Sequence, residues 1–305
     1  MSELAITPVV HPRCRTRKSG QCERPLWLAE VARQCNVRKV VERDAQMLMT
    51  TLESANDRLI HVRVRGATAL SPSGFEAVTI QAYAAISEEL AAAPARHPVR
   101  FWNYIPDIHR DCGGGVDRYM TFNAGRYEAF RRWFGPENMH RLPTASGIGH
   151  DGPDLVIEAL ATDVEGIAVD NPRQIPPVRY SRRYGVRPPC FARAMLVPGH
   201  APRLLVGGTA SVVGEISLHH RDLRGQIDET MKNLQVLLGS SGLATPHRFS
   251  ELRVYHRRPG DAGTIEQAVR RSFGAGARIE LTLAELCRRE LLVEIEGVVV
   301  ATGTE

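Results

Sequence analysis

The chain has 305 residues, 43% hydrophobic and 24% charged, a globular balance that excludes the disordered, collagen-like and coiled-coil classes. At roughly 100–200 residues per domain this length predicts about two domains. The net charge is +5, but the excess gathers in His11–Arg24 and Arg173–Arg193. A nucleic-acid groove would need one stripe with interleaved aromatics, so no nucleic-acid partner is expected. No run of about 18 apolar residues predicts a membrane span, and the first 25 residues lack a secretory core, which argues against export. Six cysteines, Cys14, Cys22, Cys35, Cys112, Cys190 and Cys287, show no CxxC spacing and read as reduced thiols in a cytoplasm.

Residues 1–24 carry Pro, Arg and Ser without periodicity and read as a mobile extension. Ala29–Leu52 has apolar spacing compatible with a helix, weakened by Val37, Val40 and Val41. Leu59–Val64 alternates as a strand, Phe75–Leu90 reads as a helix and Val99–Ile105 as a strand closed by a turn at Pro106-Asp107. A helix over about Tyr119–Phe134 leads through a Gly-rich connection, Thr144–Gly152, to an apolar strand at Asp154–Ala161.

The second half repeats this order, with a strand at Arg203–Gly208, a helix at Asp222–Leu238 and a strand at Ser250–His256. A helix at Gly263–Phe273 and a closing strand at Leu291–Ala301 follow. Local similarity sets Gln81–Ile86 against Gln226–Met231, Arg100–Tyr104 against Leu252–His256, and Asp154–Ala159 against Leu291–Glu296. The expected architecture is α/β (α+β): two tandem units, each a β-sheet with helices packed on one face. The expected division is an N-terminal extension at 1–54, a first unit at 55–178 and a second at 179–305, with the Pro-rich stretch Asn171–Pro189 at the junction.

Glu294 is the leading candidate for chemistry. It lies on a nearly unbroken apolar strand, Leu291–Val300, where alternation puts Glu294 and Glu296 on one face. Desolvation and a neighbouring carboxylate both raise a carboxyl pKa, which suits a general acid at neutral pH. Either glutamate fits that role by pattern, and buried acids paired to arginine are also common structural features.

The helix segment Gln226-x-x-x-Thr230-x-x-Asn233-Leu234, Gly239 and Gly242, the strand Leu252–Tyr255 and the terminal Val293–Gly297 together resemble the RidA/YjgF (chorismate-mutase-like) fold. Two copies in one chain narrow the match. Phe101–Pro106, Phe122–Arg126, Ala145–Gly149, Asn171–Gln174, Tyr180-Ser181 and Gly208–Ser211, in this order, resemble the chorismatase family over about residues 55 to 301. The resemblance implies an enzyme of aromatic secondary metabolism that cleaves chorismate and releases pyruvate, with neither cofactor nor metal. Arg126 and Arg193 match the family's substrate-binding arginines, whose bidentate forks suit a substrate with two carboxylates. Tyr119 and Tyr180 match its substrate-contacting tyrosines, and Glu294 in Val-Glu-Ile-Glu matches its catalytic glutamate. Protonation of the enol ether at its methylene carbon needs one positioned carboxylic acid.

Cys287 is similar to a cysteine of the branch that makes 3-hydroxybenzoate, and the Gly207-Gly208 pair points the same way. For that product the family precedent is displacement of pyruvate by the ring hydroxyl, followed by rearomatisation of an epoxide-like intermediate. Hydrolysis to a dihydroxycyclohexadiene carboxylate and formation of mixed 3- and 4-hydroxybenzoate stay open. So do a RidA-like imine deaminase, which would need only one carboxylate clamp, and a non-catalytic ligand-binding module. The tandem copies supply inside one chain part of the contact that small relatives make between subunits, which suits a monomer while leaving an oligomer open. His219, His220, His247 and His256 lack a carboxylate or thiol to complete a metal set. Gly113–Gly115 lacks the Lys-Ser/Thr of a phosphate loop, and Ser146 lacks a GxSxG elbow.

Overall fold

The computed structural model describes residues 15–17, 24–91, 93–274 and 276–302. Cys14 and Cys22, with most of the segment read as a mobile extension, lie outside the described residues. The first half contains β1 (Arg15–Arg17), α1 (Leu26–Gln34), β2 (Val37–Glu42), β3 (Met47–Glu53), β4 (Asp57–Val64), α2 (Pro72–Ala91), β5 (His97–Pro106), α3 (Arg118–Phe134), β6 (Thr144–His150) and β7 (Leu155–Thr162). The second contains β8 (Ile167–Val169), β9 (Ala194–Val197), β10 (Arg203–Ala210), β11 (Val212–Val213), β12 (Ile216–Ser217), α4 (Leu223–Gly239), β13 (His247–His256), α5 (Ala262–Phe273), β14 (Arg278–Leu283) and β15 (Val293–Ala301).

Two sheets follow one plan. The first has the order β2-β3-β4-β7-β5-β6, and the second repeats it as β8-β9-β10-β15-β13-β14, with β1 added outside β14. Pairing is antiparallel except for β5 with β6, β13 with β14 and β1 with β14. Parallel neighbours need a crossover. α3 supplies it in the first sheet and α5 in the second. Asp117 caps α3 by accepting from the Met120 amide, and Asp222 caps α4 by accepting from Gly225. The helices of each half cover one face of its sheet and build a core there, around Phe101, Phe122 and Phe130 in the first half and Leu234, Val254 and Ile295 in the second. A third core, with Trp102, Tyr104, Val156, Leu205 and Tyr255, lies where the two sheets face each other.

Several expectations change. Ala29–Leu52 is not one helix: α1 ends at Gln34, and the β-branched run of Val37, Val40 and Val41 forms β2, paired with β3. The sheet of the unit expected to begin at residue 55 thus already includes β2 and β3, and that of the unit expected at 179 begins with β8. Arg15–Arg17, within the expected mobile segment, forms β1 on the edge of β14. The Gly-rich connection Thr144–Gly152 contains the buried strand β6. Its Gly147 admits the Tyr119 ring, which stands 2.8 Å from where a Cβ would be.

The repeat register also moves by one residue. Each half has a bulge in its second long strand, at Val99 in β5 and Ser250 in β13, and these align Arg100 with Glu251 and Tyr104 with Tyr255. Tyr104 pairs with Val156 and Tyr255 with Glu294, while Trp102 pairs with Glu158 and Arg253 with Glu296. Val156 is therefore the counterpart of Glu294, and Glu158 that of Glu296. β7 and β15 are buried on both faces, so their apolar runs carry no alternation to reveal a slip.

Candidate active site

A cavity of about 280 Å³ opens where the start of α3 meets β10, β15 and the segment 174–193. Glu294, Cys287, Tyr119, Tyr180 and Arg193 all line it. Glu294 is 4% exposed, and its position depends on a local irregularity of β10. Val206 pairs with Gly297, but Thr209 pairs with Ile295 and Ala210 with Glu294, leaving one extra residue at Gly207-Gly208. A Cβ on Gly208 would stand 2.0 Å from Glu294 Oε1. The strand backbone approaches the carboxyl this closely only because residue 208 has no side chain.

Glu296 shares that face, as alternation predicts, but it is fully engaged. It accepts from Arg100 Nη2 at 2.7 Å, Trp102 Nε1 at 2.8 Å, Ser146 Oγ at 2.5 Å and Tyr255 Oη at 3.2 Å. Glu294 has no such set: the Cys287 thiol donates to its Oε2 at 3.8 Å. Burial, then the charge on Glu296, pushes the Glu294 carboxyl up to about 8, with Arg100 opposing. At neutral pH it is predominantly a carboxylic acid with a proton to give. Burial and the neighbouring Glu294 push the Cys287 thiol well above its ordinary range, so it stays protonated.

Arg193 is buried, and its Nη2 donates to the Ile175 carbonyl at 3.0 Å and the Tyr180 hydroxyl at 2.7 Å. Tyr180 thus connects the Pro-rich junction to the wall. Half-buried Tyr119 projects from the first turn of α3, its hydroxyl held protonated chiefly by burial. Arg126 is placed differently. It is 1% exposed, donates to Asn123 Oδ1 at 2.8 Å and stands 5.8 Å from the Phe191 ring. Tyr119 and Phe191 line the cavity, whereas Arg126 does not.

The wall also holds residues that the sequence pattern did not single out. Phe191 and Tyr184 supply aromatic surface, and Arg288 supplies a second interior cation. The guanidinium of Arg288 lies 4.0 Å from the Tyr184 ring centroid, and its Nη1 donates to the Glu215 carbonyl at 2.8 Å and Ser217 Oγ at 2.9 Å. In sequence Arg288 is one of several arginines in a polar turn, with no spacing to mark it.

Comparison with known proteins agrees with this architecture. The family model described as "Chorismatase FkbO/Hyg5-like, N-terminal" matches residues 35–161. A 3-hydroxybenzoate synthase of Streptomyces hygroscopicus is 35% identical over 243 residues, covering 75% of this chain and 71% of that protein. A chorismatase of Streptomyces rapamycinicus is 31% identical over 238 residues, covering 74% and 70%. A solved chorismatase structure superposes with a TM-score of 0.76 at 25% identity, covering 87% of this chain and 80% of that one. With its paired sheets and buried acid, this chain belongs to the chorismatase family.

Proposed function

We propose that the protein cleaves chorismate to pyruvate and 3-hydroxybenzoate, with Glu294 as the general acid. The observation that carries this reading is a buried carboxyl, protonated at neutral pH, that faces a cavity through a side-chain-free bulge. A volume of about 280 Å³ is near the lower end of the roughly 300–1,000 Å³ of small-molecule sites, which suits a single-ring substrate. Arg193 binds one substrate carboxylate. Tyr119 and Tyr180 orient the ring, and Arg126 braces the wall formed by Tyr119 and Phe191.

Glu294 delivers its proton to the enolpyruvyl methylene and leaves an oxocarbenium ion. The ring hydroxyl then displaces the protonated enolpyruvyl group as pyruvate, closing an epoxide that opens and rearomatises with loss of a ring proton. The two products together contain the atoms of chorismate, so no water is consumed. Glu296 is saturated by four donors and serves as the fixed charge that keeps Glu294 protonated. The 3-hydroxybenzoate outcome draws support from Cys287 packed against the acid and from the name of the 35% identical relative. The chain is read as a monomer, which light scattering tests. The free thiols at Cys35, Cys112, Cys190 and Cys287 support a reducing, cytoplasmic setting.

The test incubates purified protein with chorismate, follows pyruvate by a coupled assay and resolves products by chromatography. Pyruvate with 3-hydroxybenzoate is expected. Pyruvate with a non-aromatic diol would overturn the product, and no pyruvate would overturn the activity.

A further inference from the structure

A substrate with two carboxylates needs two cationic forks, and of the arginines singled out in the sequence only Arg193 is among the residues that line the cavity. The wall has four arginines: Arg183, Arg193, Arg288 and Arg289. Arg183 and Arg289 are exposed at the rim, and Arg289 directs its Nη2 to the His109 carbonyl. Arg193 and Arg288 remain as interior cations. Both donate to carbonyl and hydroxyl oxygens, and neither forms an ion pair with a carboxylate among the described residues; unpaired charges withdrawn from water call for a counter-anion.

We infer that Arg288 is the second substrate-binding guanidinium, gripping the carboxylate of the enolpyruvyl arm while Arg193 holds the ring carboxylate. The inference rests on the chorismate reading above. Three features support it. Arg288 is held from behind: Nη1 donates to Glu215 O, Ser217 Oγ and, at 3.3 Å, Tyr184 Oη. Its Nε and Nη2 have no hydrogen-bond partner among the described residues, so the bidentate edge is oriented and free. Arg193 and Arg288 share one ring, their guanidinium carbons 5.7 and 5.5 Å from the Tyr180 centroid, which gathers both cations around one part of the wall. Finally, Arg288 follows Cys287 directly, and that thiol touches Glu294. Arg288 and Glu294 line the same cavity, so a carboxylate on Arg288 occupies the site that the acid faces.

The experiment compares wild type, Arg288→Ala and Arg288→Lys in the pyruvate assay, and measures by calorimetry the affinity of each for isophthalate, which has two ring carboxylates, and benzoate, which has one. Arg288→Ala is expected to raise KM for chorismate roughly 10- to 100-fold, the size of one charge-assisted hydrogen-bonded contact. It should also abolish the preference for isophthalate over benzoate. Arg288→Lys, which keeps the charge without the fork, should restore part of both and serves as the test should the alanine variant fail to fold. An active wild type with unchanged KM and unchanged isophthalate preference in either folded Arg288 variant overturns the inference while leaving the activity intact. If wild type releases no pyruvate, the chorismate reading fails, and the calorimetry alone decides whether Arg288 anchors a dianion.

Discussion

The two halves share a strand order, a pair of crossover helices and a matched bulge, yet of their central strands β7 and β15 only β15 presents an acid, Glu294, to the cavity. At the position of Glu294 the first half has Val156, 1% exposed, opposite an uninterrupted β4. At the position of Glu296 both halves keep a buried glutamate. Glu158 accepts from Arg24 Nε at 3.0 Å and contacts His61 Nδ1 at 2.7 Å, whereas Glu296 is held by Arg100, Trp102, Ser146 and Tyr255. The shared template therefore supplies a structural carboxylate. The second half adds two features: an acid two residues earlier, and a glycine bulge in the neighbouring strand that makes room for it.

Replacing the acid tests this comparison most severely. Glu294→Gln keeps shape and removes the proton, and pyruvate release is expected to fall about 10²–10⁴-fold with the fold unchanged by circular dichroism. The reciprocal substitution, Val156→Glu, buries a carboxyl opposite a regular strand, across from Arg63. It should lower unfolding free energy in urea by about 1–3 kcal/mol and restore no activity in the Glu294→Gln background. Activity retained by the first variant or created by the second would break the assignment of chemistry to one half.

The pH profile sharpens it further. With Glu294 as the proposed general acid, kcat should be flat through neutrality and fall as pH rises through about 8, about tenfold per unit above it. A rise over that range would point to a base. Gly208→Ala should reduce kcat by roughly tenfold: its Cβ would displace only the end of a flexible side chain, a smaller effect than the roughly 100-fold of a 1 Å misplacement. Cys287→Ala should alter kcat only a few-fold, because the thiol makes one long, weak contact with the acid. Product chromatography on that variant shows whether the thiol directs rearomatisation.

Much of this was legible in the sequence. The repeat, the sheet-and-helix class and the glutamate were all visible, because turn residues punctuate the elements and an acid in an apolar strand is conspicuous. The register was not: continuous apolar runs in β7 and β15 look alike at every offset, and the matched bulges at Val99 and Ser250 have no sequence mark. The places of Arg126 and Arg288 relative to the cavity were hidden for a related reason. A helix position shows which face a residue takes, but not which of its residues line a cavity. The fork of Arg288 is set by Glu215 and Ser217, about seventy residues away. β6 was concealed by its glycines, which in isolation suggest a loop and here let Tyr119 pack against the strand.

The four donors around Glu296 have a consequence for how the molecule comes apart. The glutamate is on β15, while Arg100, Trp102 and Ser146 are on β5 and β6 of the other sheet. Separating the halves would break these contacts together and expose to water the apolar core between the sheets, a large penalty on any half-melted state. Both halves should therefore unfold in one cooperative transition, with coincident curves by fluorescence and circular dichroism.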